Sequence, residues 1–229
     1  MKKLALMIGI VAASNAFAVT YNDAVGDVNM PGGYFANQDI TSVDVTHTIG
    51  TITFRINLNA DIVATNWGKY GLMIDSMPGG DVTTGNPWAR AVSMPSGMDF
   101  WVGSWVDQAP TGFNQLFAYS GGSWGPAQQS ANVIPVNNAV QYTYTWAQLG
   151  LTWGSTFCFD AWSSGGNGGD AAWDLLSKSV VNDSNNDGQT FWTEATESNS
   201  QLRYTIPVPE PGSFLALGLG ALALLRRKK

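Results

Sequence analysis

From Thr51–Leu58 apolar and polar residues alternate without a break: Ile52, Phe54, Ile56 and Leu58 fall on one side, Thr51, Thr53, Arg55 and Asn57 on the other. A period of two places every apolar side chain on one face of an extended chain, so this segment predicts a half-buried strand. The run before it, Ile40–Thr48, is also strand-like and is joined to it through Ile49-Gly50, which predicts a hairpin. His47 falls in phase with Val43 and Val45, which points to a core or sheet-face histidine. Further strands are expected at 70–75, 100–106, 115–119, 140–145, 156–162 and 202–206, separated by glycine-rich turns at Gly79-Gly80, Gly121-Gly122 and 165–169. No stretch sustains a period of 3.6; residues 146–149 and 171–177 offer only a helical turn or two. About eight short strands without long helices predict an all-β, antiparallel β-sandwich, jelly-roll-like and single-domain.

The two ends follow another pattern. Lys2 and Lys3 precede an apolar run and then Ala16-Phe17-Ala18, a small-x-small cleavage site. This reads as a signal peptide over residues 1–18, cut between Ala18 and Val19, with export through the Sec translocon. At the other end, residues 212–225 carry no charge and are followed by Arg226, Arg227, Lys228 and Lys229. Leucines surround that run on every side, so a helix there has no polar face for water, and a membrane is its expected solvent. The run is shorter than the roughly 20 residues of an ordinary spanning helix. The basic end belongs on the cytoplasmic side.

Pro209-Glu210-Pro211, then an apolar segment, then an arginine-rich end resembles the PEP-CTERM sorting signal of Gram-negative bacteria that make extracellular polysaccharide. The resemblance covers residues 208–229 and implies processing near Pro209, Glu210 and Pro211 by an exosortase, an integral membrane peptidase. Delivery to the cell surface or the surrounding matrix would follow, with transient anchoring by the tail. The folded domain is then confined to 19–207. Within it, "NDAVGDV", "DITSVDVTHTIGTITFRINL", "WGKYGLMID" and "FCFDAWSSGGNGGDAAWDLLS" resemble the DOMON-like β-sandwiches related to family-nine carbohydrate-binding modules. That resemblance implies a binding module; some such sandwiches hold sugars and others haem.

Charge narrows the partners. The whole chain carries a formal −6. Without Lys2, Lys3 and the four terminal cations five basic residues remain, and without Glu210 sixteen acidic ones, so the exported domain is near −11. Such a field repels nucleic acid and favours cations. The lone cysteine, Cys158, cannot form an internal disulfide and reads as a small buried hydrophobe. One histidine cannot build a His-rich zinc site or a two-histidine haem site, so neither haem nor nucleotide is expected.

Residues 183–194, "DSNNDGQTFWTE", satisfy the spacing of a calcium loop. Asp183, Asn185 and Asp187 stand at positions 1, 3 and 5, Gly188 permits the bend, Gln189 offers a carbonyl and Glu194 closes the shell. The competing reading is an Asx-rich loop bonded to its own backbone. Asp23, Asp27 and Asp39 form a second acidic group; its D-x-x-x-D opening resembles the sandwich family's N-terminal region, where structural cations are held. The competing reading is again turn and cap aspartates.

Ten tryptophans are the remaining anomaly. A sugar presents flat patches of C–H bonds to which an aromatic face is complementary, so Trp88, Trp124 and Trp162, beside Gly, Asn or Pro, are candidate glycan contacts. Packing at the sandwich edge is the alternative. No nucleophile elbow, phosphate loop or HExxH is present, and sixteen carboxylates single out no hydrolytic pair. The sequence therefore predicts a non-catalytic, exported surface or matrix protein that binds polysaccharide, with calcium as the expected ion. A purely structural matrix protein is the alternative, and a glycoside hydrolase the third.

Overall fold

The alternation at Thr51–Leu58 is realised in full: Ile52, Phe54, Ile56 and Leu58 are buried and the residues between them are half-buried. The computed structural model describes residues 17–30, 32–107, 112–131, 133–179, 195–199 and 202–208. Over these residues the chain is all-β with one 3₁₀ turn, Ala147–Leu149, and no α-helix. The strands in chain order are β1 (Phe17–Asn22), β2 (Asn29–Met30), β3 (Gly33–Tyr34), β4 (Ile40–Thr48), β5 (Thr51–Leu58) and β6 (Lys69–Asp75). Then come β7 (Val92–Ser93), β8 (Phe100–Trp105), β9 (Phe113–Ser120), β10 (Ser123–Trp124), β11 (Gln128–Ala131) and β12 (Val133–Val136). The last are β13 (Ala139–Thr145), β14 (Thr156–Ser164), β15 (Ala172–Leu175), β16 (Thr196–Glu197) and β17 (Arg203–Thr205).

Two antiparallel sheets face each other. The first has the order β1-β4-β5-β13-β12; the second runs β10-β9-β8-β6-β14-β15, with β11 also on β9 and β17 also on β14. The short β16–β7 pair is parallel. Between the sheets, Val43, Val45, Phe54, Ile56, Val140 and Tyr142 of the first meet Tyr70, Leu72, Ile74, Val102, Phe157 and Phe159 of the second. A register shift between Ile40 and Ser42 admits one extra residue in β4, and this bulge lets Ile40 and Val43 both turn inward. The buried tyrosine hydroxyls have partners: Tyr142 with Ser104 Oγ at 2.7 Å, Tyr70 donating to the Asn37 carbonyl at 2.7 Å, and Tyr144 donating to Asn114 Oδ1 at 2.9 Å. His47 is buried in phase with Val43 and Val45, its Nδ1 2.6 Å from the Tyr204 hydroxyl.

The β8-β6-β14-β15 part of the second sheet is covered on its outer face too. The connection 76–99 lays Val92, Met94 and Met98 over Met73, Trp101, Cys158, Trp162 and Leu175. Strands buried on both faces have no polar side, so these four lose their alternation. This corrects the helical turn expected at 171–177, where a stretch that is apolar except for Asp174 instead forms β15, buried at every position. Glycines make room for the indoles. A Cβ on Gly71, the cross-strand partner of Trp162, would lie 2.5 Å from the Trp162 ring and 1.9 Å from the Val102 carbonyl oxygen. A Cβ on Gly103 would lie 2.6 Å from Trp88.

Candidate functional site

The segment between β1 and β4 crosses one end of the sandwich and carries carboxylates along it. Asp27, Asp39 and Asp174 each present an oxygen within 4.8 Å of the other two. The fold assembles them from three places: the β1–β2 connection, the residue before β4, and the third residue of β15. Asp174 is held rigidly, since its Oδ2 accepts the Ile40 backbone N–H at 2.6 Å and its Oδ1 accepts that of Leu175 at 2.8 Å. Asp39 Oδ2 accepts from Gly26 N–H and Asn59 Nδ2, each at 3.0 Å, and from the Tyr34 hydroxyl. Asp23 lies alongside and accepts the Ala24 N–H at 2.8 Å.

Four carboxylate oxygens of this group, Asp23 Oδ2, both of Asp27 and Asp39 Oδ1, are buried without a hydrogen-bond donor among the described residues. Among the described residues no Lys or Arg forms an ion pair with them, and the ion pair there is Lys69 to Asp107, 3.3 Å apart. Burial is the main cause that lifts the Asp23 carboxyl to about 8 and Asp27 to about 6, with neighbouring carboxylates adding to both. Burial also drives Asp174 well above the ordinary range, and the Asp23 charge adds to it. Hard oxygen ligands, dry and unneutralised, are the donor set a Ca²⁺-type ion takes, and oxygens that close together can share an ion at 2.3–2.6 Å.

The other side of the same segment is aromatic. Buried Val28 and Trp173 pack with half-buried Phe35 and Trp67. The Phe35, Trp67 and Trp173 rings lie 5.4–5.9 Å apart, centroid to centroid. With Gly166, Asn167 and Asp170 they line an open pocket of about 350 Å³. Arg90 fixes the rim: its buried guanidinium donates through one nitrogen to the carbonyls of Asn167 (2.6 Å) and Asp170 (3.0 Å) and to Ser164 Oγ (3.1 Å). The Asp170 carboxylate accepts the Asn167 N–H at 3.0 Å, closing the loop on itself. Asp174 and Trp173 are adjacent in β15 and serve the two sides.

The tryptophans expected to meet glycan lie elsewhere. Trp162 is fully buried and stacked on Trp101, 4.9 Å between centroids and 23° between planes, so it has no face for a sugar. Trp88 is half-buried against Trp162 and donates to Gln115 Oε1 at 3.0 Å. Trp124, also half-buried, donates to Asp81 Oδ2 at 2.9 Å and meets Tyr119 edge-on. All three pack on one apolar cluster, which answers for much of the tryptophan surplus. The calcium-loop candidates Asp183, Asn185, Asp187, Gln189 and Glu194 lie outside the described residues, as do Pro209, Glu210 and Pro211. Ala18 and Val19 sit in β1, opposite Thr46 and Val45. Among the described residues no helix is long and apolar enough to cross a membrane.

Residues 207–229 match the model of the PEP-CTERM protein-sorting motif. The chain ends in an exosortase sorting signal. The PEP-CTERM motif marks an exported protein and supports exosortase as its processing partner. No curated protein and no solved structure matches the chain.

Proposed function

We propose that this PEP-CTERM protein is a non-catalytic, glycan-binding component of the cell surface or extracellular matrix, its binding pocket held in shape by a divalent cation. The observation that carries this reading is the two-sided segment 23–39. One side gathers Asp27 and Asp39 with Asp174; the other gathers Phe35 with Trp67 and Trp173 beside Asn167 and Asp170. Aromatic rings with a few polar groups at the rim suit a sugar, whose C–H faces stack and whose hydroxyls bond. Calcium bound by the carboxylates would cancel their repulsion and fasten this segment to β15, with water completing the coordination. A single carboxylate, Asp170, lines the pocket among the described residues, which suits binding better than hydrolysis by a carboxylate pair.

A second reading, a purely structural matrix protein, draws on the enclosure of Trp162 and the packing of Trp88 and Trp124. Affinity electrophoresis through gels containing soluble bacterial exopolysaccharides separates the two. Glycan binding predicts retardation that Trp67→Ala abolishes and Trp124→Ala leaves intact. Unchanged migration on every polymer supports the structural reading.

A further inference from the structure

The sorting signal leaves the domain at a pole with an unusual surface. Thr51, at the start of β5, pairs with Thr145, at the end of β13, so the hairpin turn Ile49-Gly50 and the 3₁₀ turn lie together. Trp146 N–H donates to the Gly50 carbonyl at 2.9 Å, and the Trp146 ring meets Trp153 edge-on at 4.7 Å. The last described residues run alongside: Gly154 N–H donates to the Ile206 carbonyl at 3.0 Å, and a Cβ on Gly154 would sit 3.3 Å from Val208 Cγ2. Ile49, Trp153 and Val208, 67%, 40% and 63% exposed, are three of the large apolar side chains left open to solvent, and these contacts place them on one end of the molecule. β1 also begins there, with Phe17 opposite His47, so both terminal segments depart from this pole.

Charge is distributed to match. The converging segments 45–54, 142–159 and 202–208 contain no Asp or Glu, in an exported domain near −11. The closest carboxylates by strand register are Asp44, opposite Arg55, and Asp75, opposite Cys158; Arg203 is exposed at this end. Three residues separate Val208 from Gly212, where the uncharged run begins. Even fully extended they reach no more than about 14 Å. Whenever that run is in a bilayer, this pole is held at the bilayer surface.

We infer that the pole formed by Ile49, Trp153 and Val208 is a membrane-seating surface, applied to the outer leaflet of the cytoplasmic membrane while the sorting segment is in place. An exposed tryptophan among uncharged side chains suits the interface between headgroups and acyl chains. Apart from Glu210 in the link to the sorting segment, the segments that form this pole carry no carboxylate and avoid the repulsion that the rest of this acidic surface meets from anionic lipid. β14 runs from this pole at Thr156 to Ser164 at the pocket end, eight steps of about 3.3 Å, or roughly 26 Å. The pocket therefore faces away from the membrane and stays open while the protein is tethered.

The inference rests on insertion of residues 212–225, and the test separates the two. The full chain, produced through a secretory route so that the leader is removed, is reconstituted into phosphatidylcholine–phosphatidylglycerol vesicles. A fluorophore is placed at Ile49→Cys, at the adjacent exposed Thr48→Cys, or at exposed Ala64→Cys, in the connection that leaves the far end of β5 and three residues before Trp67, each in a Cys158→Ala background, with quencher-bearing lipid in the bilayer. Flotation reports insertion. The expected result is flotation with several-fold stronger quenching at positions 48 and 49 than at 64. Flotation with equally weak quenching at all three overturns the seating surface and leaves the anchor standing; failure to float removes both.

Discussion

Asp174 Oδ2 accepts the backbone N–H of Ile40 across 2.6 Å, joining β15 of one sheet to the first residue of β4 in the other. The bond spans 134 positions of sequence and is buried. It brings the third carboxylate beside Asp27 and Asp39 while the preceding residue, Trp173, turns into the aromatic pocket. The acidic cluster and the pocket thus share one piece of backbone.

Removing that carboxylate strands two buried N–H groups, those of Ile40 and Leu175. Asp174→Ala is expected to cost about 2–4 kcal/mol in denaturant unfolding. Asp174→Asn, which keeps an acceptor, should cost less and still abolish calcium stabilisation. Equal losses in both variants would place the role in charge alone.

The cation-free fold should weaken as pH rises. Asp23 and Asp27 ordinarily titrate near 3.8 but are raised in the folded chain to about 8 and about 6, so between pH 4 and 8 the folded state binds more protons than the unfolded. Stability then falls with rising pH across that window. In chelator, Tm is expected to drop from pH 5 to pH 8, and calcium should restore it at pH 8 while doing little at pH 5. A calcium effect independent of pH would contradict this.

The indole seats are testable without any ligand. Trp162→Ala empties the space over Gly71 and should cost about 3–5 kcal/mol. Gly71→Ala drives a methyl toward the Val102 carbonyl oxygen and the Trp162 ring, so it too should destabilise strongly. Thermal unfolding of both measures this, and a neutral Gly71→Ala would refute the packing argument.

Arg90 acts on the pocket through its rim, since it holds the Asn167 and Asp170 carbonyls, and its guanidinium lies 5.9 Å over the Trp88 ring, which does not line the pocket. Arg90→Met is expected to speed hydrogen exchange at 165–170 and weaken polysaccharide retention, leaving exchange in β4 and β5 unchanged. Uniform acceleration throughout the chain would mean a global fold role instead.

The half-buried elements were legible in sequence and the doubly buried ones were not. β4 and β5 match their expected bounds because one face meets water and writes a period of two into the chain. β15 carries no such record: "AWDL" is covered on both faces, and an apolar run without period suits helix and strand alike. Asp174 was missed for the same reason, since Ile40, Asp39 and Asp27, which it joins, are 134 or more positions away and no local spacing announces them. A lone aspartate inside "AAWDLL" was the available signal. Trp162 was misplaced because its neighbours "SSGG" read as a loop, whereas Gly71 and Gly103, glycines inside strands, were the sign that bulky rings press on that sheet.

The most direct test of the cation-ordered pocket is calcium titration by calorimetry on the full chain, on Asp39→Asn and on Asp187→Asn. A binding event is expected at pH 8 that persists in Asp187→Asn and disappears in Asp39→Asn. Binding that survives intact in Asp39→Asn, or is lost in Asp187→Asn alone, would contradict it and move the ion to residues 183–194.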